Sequence, residues 1–212
     1  LALRAVIFDF GMVLTGQPNM EAHDAMVRLT GLTTERFEEL YWADRHAYDE
    51  GKLTGAAFWQ KFARDSGGTL SQQQIDELNR LDGRYWTTQN PAMVAWQGQL
   101  RQAGLRTGIL SNMGDTVLAC IEREFAWLNN FDVLVWSFQL GIAKPDPAIY
   151  RYILQKLGTR AEETLFIDDR RVNIDAAKAL GMIGIEFTDI ERLRGDLVAL
   201  GLDGALPVPT VC

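Results

Sequence analysis

The chain has 212 residues, of which 47% are hydrophobic, 10% aromatic and 23% charged, with 19 Gly, 6 Pro, 2 Cys and a formal net charge of -7. This ordinary globular composition excludes a collagen-like repeat, bulk disorder and a disulfide-stapled miniprotein. A chain this long buries roughly 70% of its unfolded surface, so it needs no metal to fold, and a bound metal would serve chemistry. The acidic balance, without a Lys/Arg cluster, argues against a surface that tracks nucleic-acid phosphates, yet leaves room for a local pocket holding one small anion. Cys120 and Cys212 lie far apart and have no metal-ligand spacing, which fits reduced thiols and a cytoplasmic protein. The apolar start, Leu1 to Phe8, is interrupted by Arg4 and followed at once by Asp9, too short for a signal core or a membrane-spanning helix. The expectation is a soluble protein, monomer or homodimer.

In chain order, Ala5 to Phe10 (AVIFDF) is a short run rich in β-formers that ends in Asp9 and opens into Gly11, as a buried parallel strand does. From about Pro18 to Trp86 no strand is predicted. That stretch reads as several helices, with stops at Gly31, Gly51, Gly67 and Gly83. Thr33-Thr34-Glu35-Arg36 starts one helix, and Ser71-Gln72-Gln73-Gln74 carries a capping-box pattern. Phe37, Leu40, Tyr41, Phe58, Trp59 and Phe62 recur at helical spacing and suggest a small helical core. Beyond it, strands at Arg106 to Ser111, Asp132 to Ser137, Thr164 to Asp168 and Ile183 to Phe187 alternate with helices at about Pro91 to Ala103, Thr116 to Phe125, Asp146 to Leu157 and Val172 to Leu180. That alternation predicts right-handed βαβ units: an α/β, Rossmann-like parallel sheet sandwiched by helices. Residues 1–16 and 87–212 would form the core, and residues 17–86 an inserted all-helical cap.

Loops at the carboxyl ends of parallel strands gather around one crevice. Those ends hold Asp9, Ser111-Asn112, Lys144 in the loop after the third strand, and Asp168-Asp169. Three carboxylates in one crevice repel one another and rise in pKa unless cations sit among them. Lys144 supplies one positive charge; a hard divalent ion held by oxygens, most plausibly Mg²⁺, would supply the rest. A carboxylate nucleophile, a hydroxyl and amides to hold oxygens, and a Lys against developing charge are the parts required for phosphoryl transfer through an acyl-phosphate. The two His residues, His23 and His46, both lie in the helical insertion, so a Ser/His/Asp arrangement on Ser111 has little support.

The ordered segments FDFGMVLTG, GILSN, GIAKPDPAIY and FIDDRRVNIDAAKALGM resemble the four motifs of the haloacid dehalogenase superfamily. The likeness is to the branch with a helical cap after the first motif, which includes the phosphatase-like N-terminal domain of epoxide hydrolases. The resemblance implies that Asp9 is the nucleophile and a Mg²⁺ ligand, with the Gly11 carbonyl and Asp169 as further ligands. It also implies that Ser111 binds a phosphate oxygen, that Asn112 positions it, and that Lys144 bridges Asp9 and the phosphoryl group. Asp168 would hold Lys144 or act through a water, and Asn173 would support the metal shell. Arg170 and Arg171 read as solvated residues at a helix start.

One position departs from that pattern. Most phosphatases of this kind carry a second Asp two residues after the nucleophile, as acid and then base, where this chain has Gly11; Val13 keeps the rest in frame. General acid–base help is typically worth about 10² to 10⁴ in rate. An acid from the cap (Asp44, His46, Asp49 or Glu50) is one explanation, and a slow phosphatase of a substrate with a good leaving group is another. A metal-independent 2-haloacid dehalogenase, in which Arg45 binds a substrate carboxylate, is a third, since halide loss needs no proton. A weakly active or inactive member that binds a ligand or partner is the remaining alternative. The leading expectation is a Mg²⁺-dependent phosphatase of a small phosphorylated metabolite, with no nucleic-acid or membrane partner.

Overall fold

A computed structural model describes residues 3–210; Cys212 lies outside the described residues. Its centre is a five-stranded sheet of β1 (Ala5–Phe8), β2 (Arg106–Ser111), β3 (Val133–Trp136), β4 (Thr164–Asp168) and β5 (Ile183–Glu186), every pair parallel, in the order β3-β2-β1-β4-β5. Each strand lies where the apolar runs placed it, with ends moved by one or two residues. The first stops at Phe8 because Asp9 and Phe10 already turn away from the sheet. The order reverses at β1, which pairs with β2 on one side and β4 on the other. A crevice therefore opens beyond the carboxyl ends of these three strands.

Alternation along the strands creates two apolar faces. Val6, Phe8, Ile109, Leu165 and Ile167 point to one, and Ala5, Ile7, Leu110, Val135 and Phe166 to the other. α6 (Pro91–Gln102), α7 (Asp115–Glu124) and α11 (Ile190–Ala199) cover the first face; α9 (Pro147–Leu157) and α10 (Arg171–Ala179) cover the second. A short α8 (Ser137–Leu140) follows β3. The alternation of strands and helices expected from the sequence includes neither α8 nor α11. The signal for α11 was present: Asp189 caps the helix by accepting from Arg192 N–H, and Leu193 and Leu197 bury one face at i,i+4 spacing.

Five helices stand between β1 and α6: α1 (Met20–Thr30), α2 (Thr34–Ala43), α3 (Arg45–Asp49), α4 (Gly55–Asp65) and α5 (Gln72–Tyr85). Asn19, Thr33, Thr54 and Ser71 cap α1, α2, α4 and α5, and Ser71 with Gln74 forms the full capping box. Gly31 ends α1 in the left-handed conformation. The two chain crossings pair with each other, through Gly16 N–H to Thr88 O at 2.7 Å, Asn90 N–H to Leu14 O at 3.0 Å and an antiparallel bridge between Thr15 and Gln89. The aromatic core of the helical segment, including Phe37, Tyr41, Phe58 and Trp59, is continuous with the first apolar face of the sheet. Among the described residues, no helix is long and apolar enough to cross a membrane.

Gly83 does not stop a helix, contrary to expectation; it lies inside α5. A Cβ there would stand 2.4 Å from the Cβ of Cys120 on α7, so glycine lets the two helices meet. Both atoms are fixed to backbone, so no rotamer change relieves the clash. Gly83→Ala gains about 0.5–1 kcal/mol of helix preference but is expected to lose about 1–3 kcal/mol to overpacking. The expected net result is a lower urea midpoint with an unchanged slope; a higher midpoint would contradict the packing account.

Candidate active site

β1 delivers Asp9 at the mouth of the crevice, and the chain then makes a wide turn closed by Thr15 N–H donating to Phe10 O at 3.0 Å. Within it Gly11 is extended, and Met12 has φ 60, the only non-glycine residue with positive φ among those described. Such a conformation costs of order 1–3 kcal/mol and is held by its surroundings; here Met12 N–H donates to Thr15 Oγ1 at 3.0 Å. Phe10 N–H donates to Asp9 Oδ1 at 2.7 Å and fixes the carboxylate.

Lys144 lies between two carboxylates, with Nζ 2.9 Å from Asp9 Oδ1 and 2.7 Å from Asp168 Oδ2. Asp168 is fully buried and Lys144 is 2% exposed. Asp168 Oδ1 also accepts from Arg170 N–H at 2.8 Å and from the Asn173 amide at 2.9 Å. Asn112 brackets the Lys144 backbone: its amide donates to Lys144 O at 2.9 Å, and its Oδ1 accepts from Lys144 N–H at 2.8 Å. Both polar ends of that side chain therefore hold the lysine backbone, and Asn112 also lines the cavity beside Ser111. Ser111, at the end of β2, makes no side-chain hydrogen bond among the described residues and lines the cavity.

Asp9, Asp168 and Asp169 bring ligand oxygens within 4.8 Å of one another. Asp169 faces the cavity beside Asp9, Gly11 and Asn173, while Asp168 stands behind them. Burial is the main cause that raises Asp9 from 3.8 to about 7; Lys144 opposes it, and Asp168 and Asp169 add to it. Asp169 is raised by burial and by Asp168. Burial opposes the charge of Lys144, but Asp168 and Asp9 outweigh it and hold the ammonium above its usual range. Three clustered carboxylates with one ammonium leave negative charge uncompensated, and the buried Asn173 Oδ1 has no partner. An all-oxygen set with surplus negative charge fits a hard divalent cation.

The cavity, about 640 Å³, is walled by Phe10, Met12, Trp42, Trp86, Met113 and Val117. The four acids proposed for the missing role separate in space. His46 and Asp49 line the cavity. Asp44 pairs with Lys61 at 2.7 Å and Glu50 pairs with Lys52, both away from it. Arg45 is at the cavity but is 6% exposed and already engaged. Its Nη1 donates to both oxygens of Asp82 at 3.0 Å and to Tyr41 Oη, and its Nε donates to Asp49 at 3.1 Å. Arg171 is exposed and pairs with Asp175 at 2.9 Å, as a solvated residue does, whereas Arg170 also lines the cavity.

Two residues outside the sequence motifs, Trp86 and Asp82, also shape the site. Trp86 lies over Gly11, where an added Cβ would stand 3.5 Å from its ring. No local pattern joins residues 11 and 86; their contact depends on how the helical segment returns. Asp82 was legible in principle, because it falls on the buried stripe of α5 with Ile75, Leu78 and Leu81, where an acid requires a partner.

An acidic cluster beside a buried lysine thus stands at the switch point of a Rossmann-like sheet. The family model described as "haloacid dehalogenase-like hydrolase" matches residues 3–181, and the chain belongs to that family. It is 31% identical to "Phosphatase MT3486" of Mycobacterium tuberculosis, over 98% of this chain and 100% of that one. It is 29% identical to "(S)-2-haloacid dehalogenase 1" of a Pseudomonas species, over 90% and 86% respectively. The fold matches the HAD family enzyme BT-2542 of Bacteroides thetaiotaomicron, whose structure is a complex with magnesium and inorganic phosphate; the TM-score is 0.73 at 20% identity, covering 90% of this chain and 98% of that one.

Proposed function

We propose that this hydrolase is a Mg²⁺-dependent phosphatase of a small phosphorylated metabolite, working through an aspartyl-phosphate on Asp9. The observation that carries this reading is the cluster of three carboxylates beside Lys144, two of which, Asp9 and Asp169, line one cavity. The phosphatase-named relative and the magnesium and phosphate complex of the structural neighbour support it. Asp9, Asp169 and the Gly11 carbonyl would hold Mg²⁺, which when bound supplies positive charge for the phosphoryl oxygens and keeps the nucleophile ionised. Asp9 attacks phosphorus as the ester oxygen leaves; Ser111 Oγ and Lys144 Nζ hold the non-bridging oxygens; water then cleaves the acyl-phosphate and regenerates Asp9. The helical segment, acting as a cap domain, would limit access of bulk water.

The named dehalogenase relative and the bare Gly11 favour a second reading, metal-independent dehalogenation. Against it stands Arg45, whose guanidinium is paired with Asp82 and hydrogen-bonded to Tyr41 and Asp49, and is not free for a substrate carboxylate. The test measures phosphate release from nitrophenyl phosphate with Mg²⁺ and with EDTA, beside chloride release from 2-chloropropionate. The phosphatase reading expects phosphate release with Mg²⁺ alone; chloride release that persists in EDTA would replace it with the second.

The cluster also predicts behaviour without turnover. Because Asp9 rises from 3.8 to about 7 on folding, the folded state holds a proton that the unfolded chain releases between those values. Its contribution to the stability of the metal-free protein therefore falls as pH climbs through that window. Mg²⁺ at a fixed concentration, about 100 times its Kd at pH 8, is expected to add about 2.7 kcal/mol there, or about 5–10 °C for a chain of this length, and less at pH 5, where protonated Asp9 weakens binding. Scanning calorimetry at the two pH values checks this; equal shifts would place the ion away from the carboxylates.

A further inference from the structure

Building on the phosphatase reading, we propose that Asp49, at the end of α3, is the general acid and base that Gly11 cannot be. Its backbone is pinned above the ends of β2 and β3: Ser137 Oγ donates to Asp49 O, and Met113 N–H donates to Ser137 Oγ at 2.9 Å. Gly51, at φ +76, completes this seat, since a Cβ there would be 2.5 Å from Phe138 O. The Asp49 side chain lines the same cavity as Asp9 and Gly11. Arg45 Nε holds its Oδ1 at 3.1 Å, and its Oδ2 makes no hydrogen bond among the described residues. One oxygen is oriented and the other is left to exchange a proton.

The other groups fit less well. Asp44 and Glu50 are off the cavity, and the His46 side chain is 66% exposed and paired with Glu50 at 3.3 Å. The Tyr48 hydroxyl is bonded to Thr116 Oγ1 at 2.6 Å. Burial lifts the Asp49 carboxyl above the usual carboxylate range, against the pull of Arg45 and with the push of Asp82, the direction an acid working near neutrality requires.

The proton balance closes over two steps. As Asp9 forms its bond to phosphorus and the ester P–O bond breaks, the Asp49 proton passes to the departing oxygen, giving the alcohol and an Asp49 carboxylate. Water next attacks phosphorus and the acyl-phosphate P–O bond breaks. Asp49 takes the proton of that water, so phosphate leaves with Asp9 ionised and Asp49 protonated as at the start.

The test is kcat/KM with Mg²⁺ for wild type and Asp49→Asn across phosphate esters from dinitrophenyl to simple alkyl. A good leaving group needs no proton, so dinitrophenyl phosphate is expected to change by less than about tenfold while alkyl phosphates lose about 10² to 10⁴. For dinitrophenyl phosphate, kcat is expected to fall with a burst, because the second step has lost its base. The leaving-group dependence compares rates within one preparation, so partial unfolding cannot imitate it. An equal loss across the series, or no loss for alkyl esters, would overturn the role of Asp49 while leaving the phosphatase reading intact. Should the variant not fold, a steep leaving-group dependence in the wild type overturns it equally. Absence of phosphate release that depends on Asp9 would overturn the phosphatase reading and this assignment with it.

Discussion

Asp9→Asn is expected to lower phosphate release by about 10⁴-fold or more, the scale on which a covalent nucleophile matters. The same variant is expected to be no less stable at pH 8 than the parent. Asn Oδ1 can still accept from Phe10 N–H, as Asp9 does at 2.7 Å. The substitution also removes one negative charge from a buried cluster in which burial has pushed Asp9 up to about 7. Activity and stability thus move independently, which a misfolded variant cannot reproduce. Turnover that survives Asn at this position, in purified protein with an unchanged melting temperature, would remove Asp9 from the chemistry.

Lys144→Met should have the opposite profile, with heavy losses of both stability and activity. The ammonium lies between Asp9 and Asp168, and Asp168 has no exposure to solvent. Removing one member of a buried pair costs about 3–5 kcal/mol, because the remaining charge has no counter-ion. For a chain of this length that is roughly 6–20 °C in melting temperature. Adding Asp168→Asn to Lys144→Met is expected to recover much of the stability, since it removes the stranded charge, but none of the activity. A double-mutant cycle measures the coupling; additive losses would mean that the pair is not the unit the distances describe.

The strands and most helices were legible because their signals are local. Five apolar runs and the helix starts at Thr33 and Ser71 carry their own boundaries, and Asp9, Lys144, Asp168 and Asp169 were legible because strand ends in a parallel sheet converge. What the sequence did not disclose depends on distant pieces of chain meeting. Gly83 looked like a stop because glycine weakens helices, yet its cause is Cys120 on another helix. Asn112 sits next to Ser111 in sequence, but its side chain is directed at the Lys144 backbone. Asp44, His46, Asp49 and Glu50 fall within the seven residues formed by α3 and its two caps, and only three-dimensional packing separates cavity from surface among them.

The paired crossings at Gly16 and Thr88 bear on how such a chain can change over evolutionary time. Because residues 17–86 leave and rejoin the sheet at one point, their presence imposes no new separation between β1 and β2, which are neighbours in the sheet. The stretch is therefore parenthetical to the topology, and a rearrangement that exchanged it would leave the strand order intact. It is not dispensable, however. The Tyr48 ring occupies the space beside Gly114, and Gly83 abuts Cys120, so excision would strip the outer side of α7 bare. A replacement would have to bring a matching underside, which ties any new selectivity over the crevice to a preserved footprint on one helix.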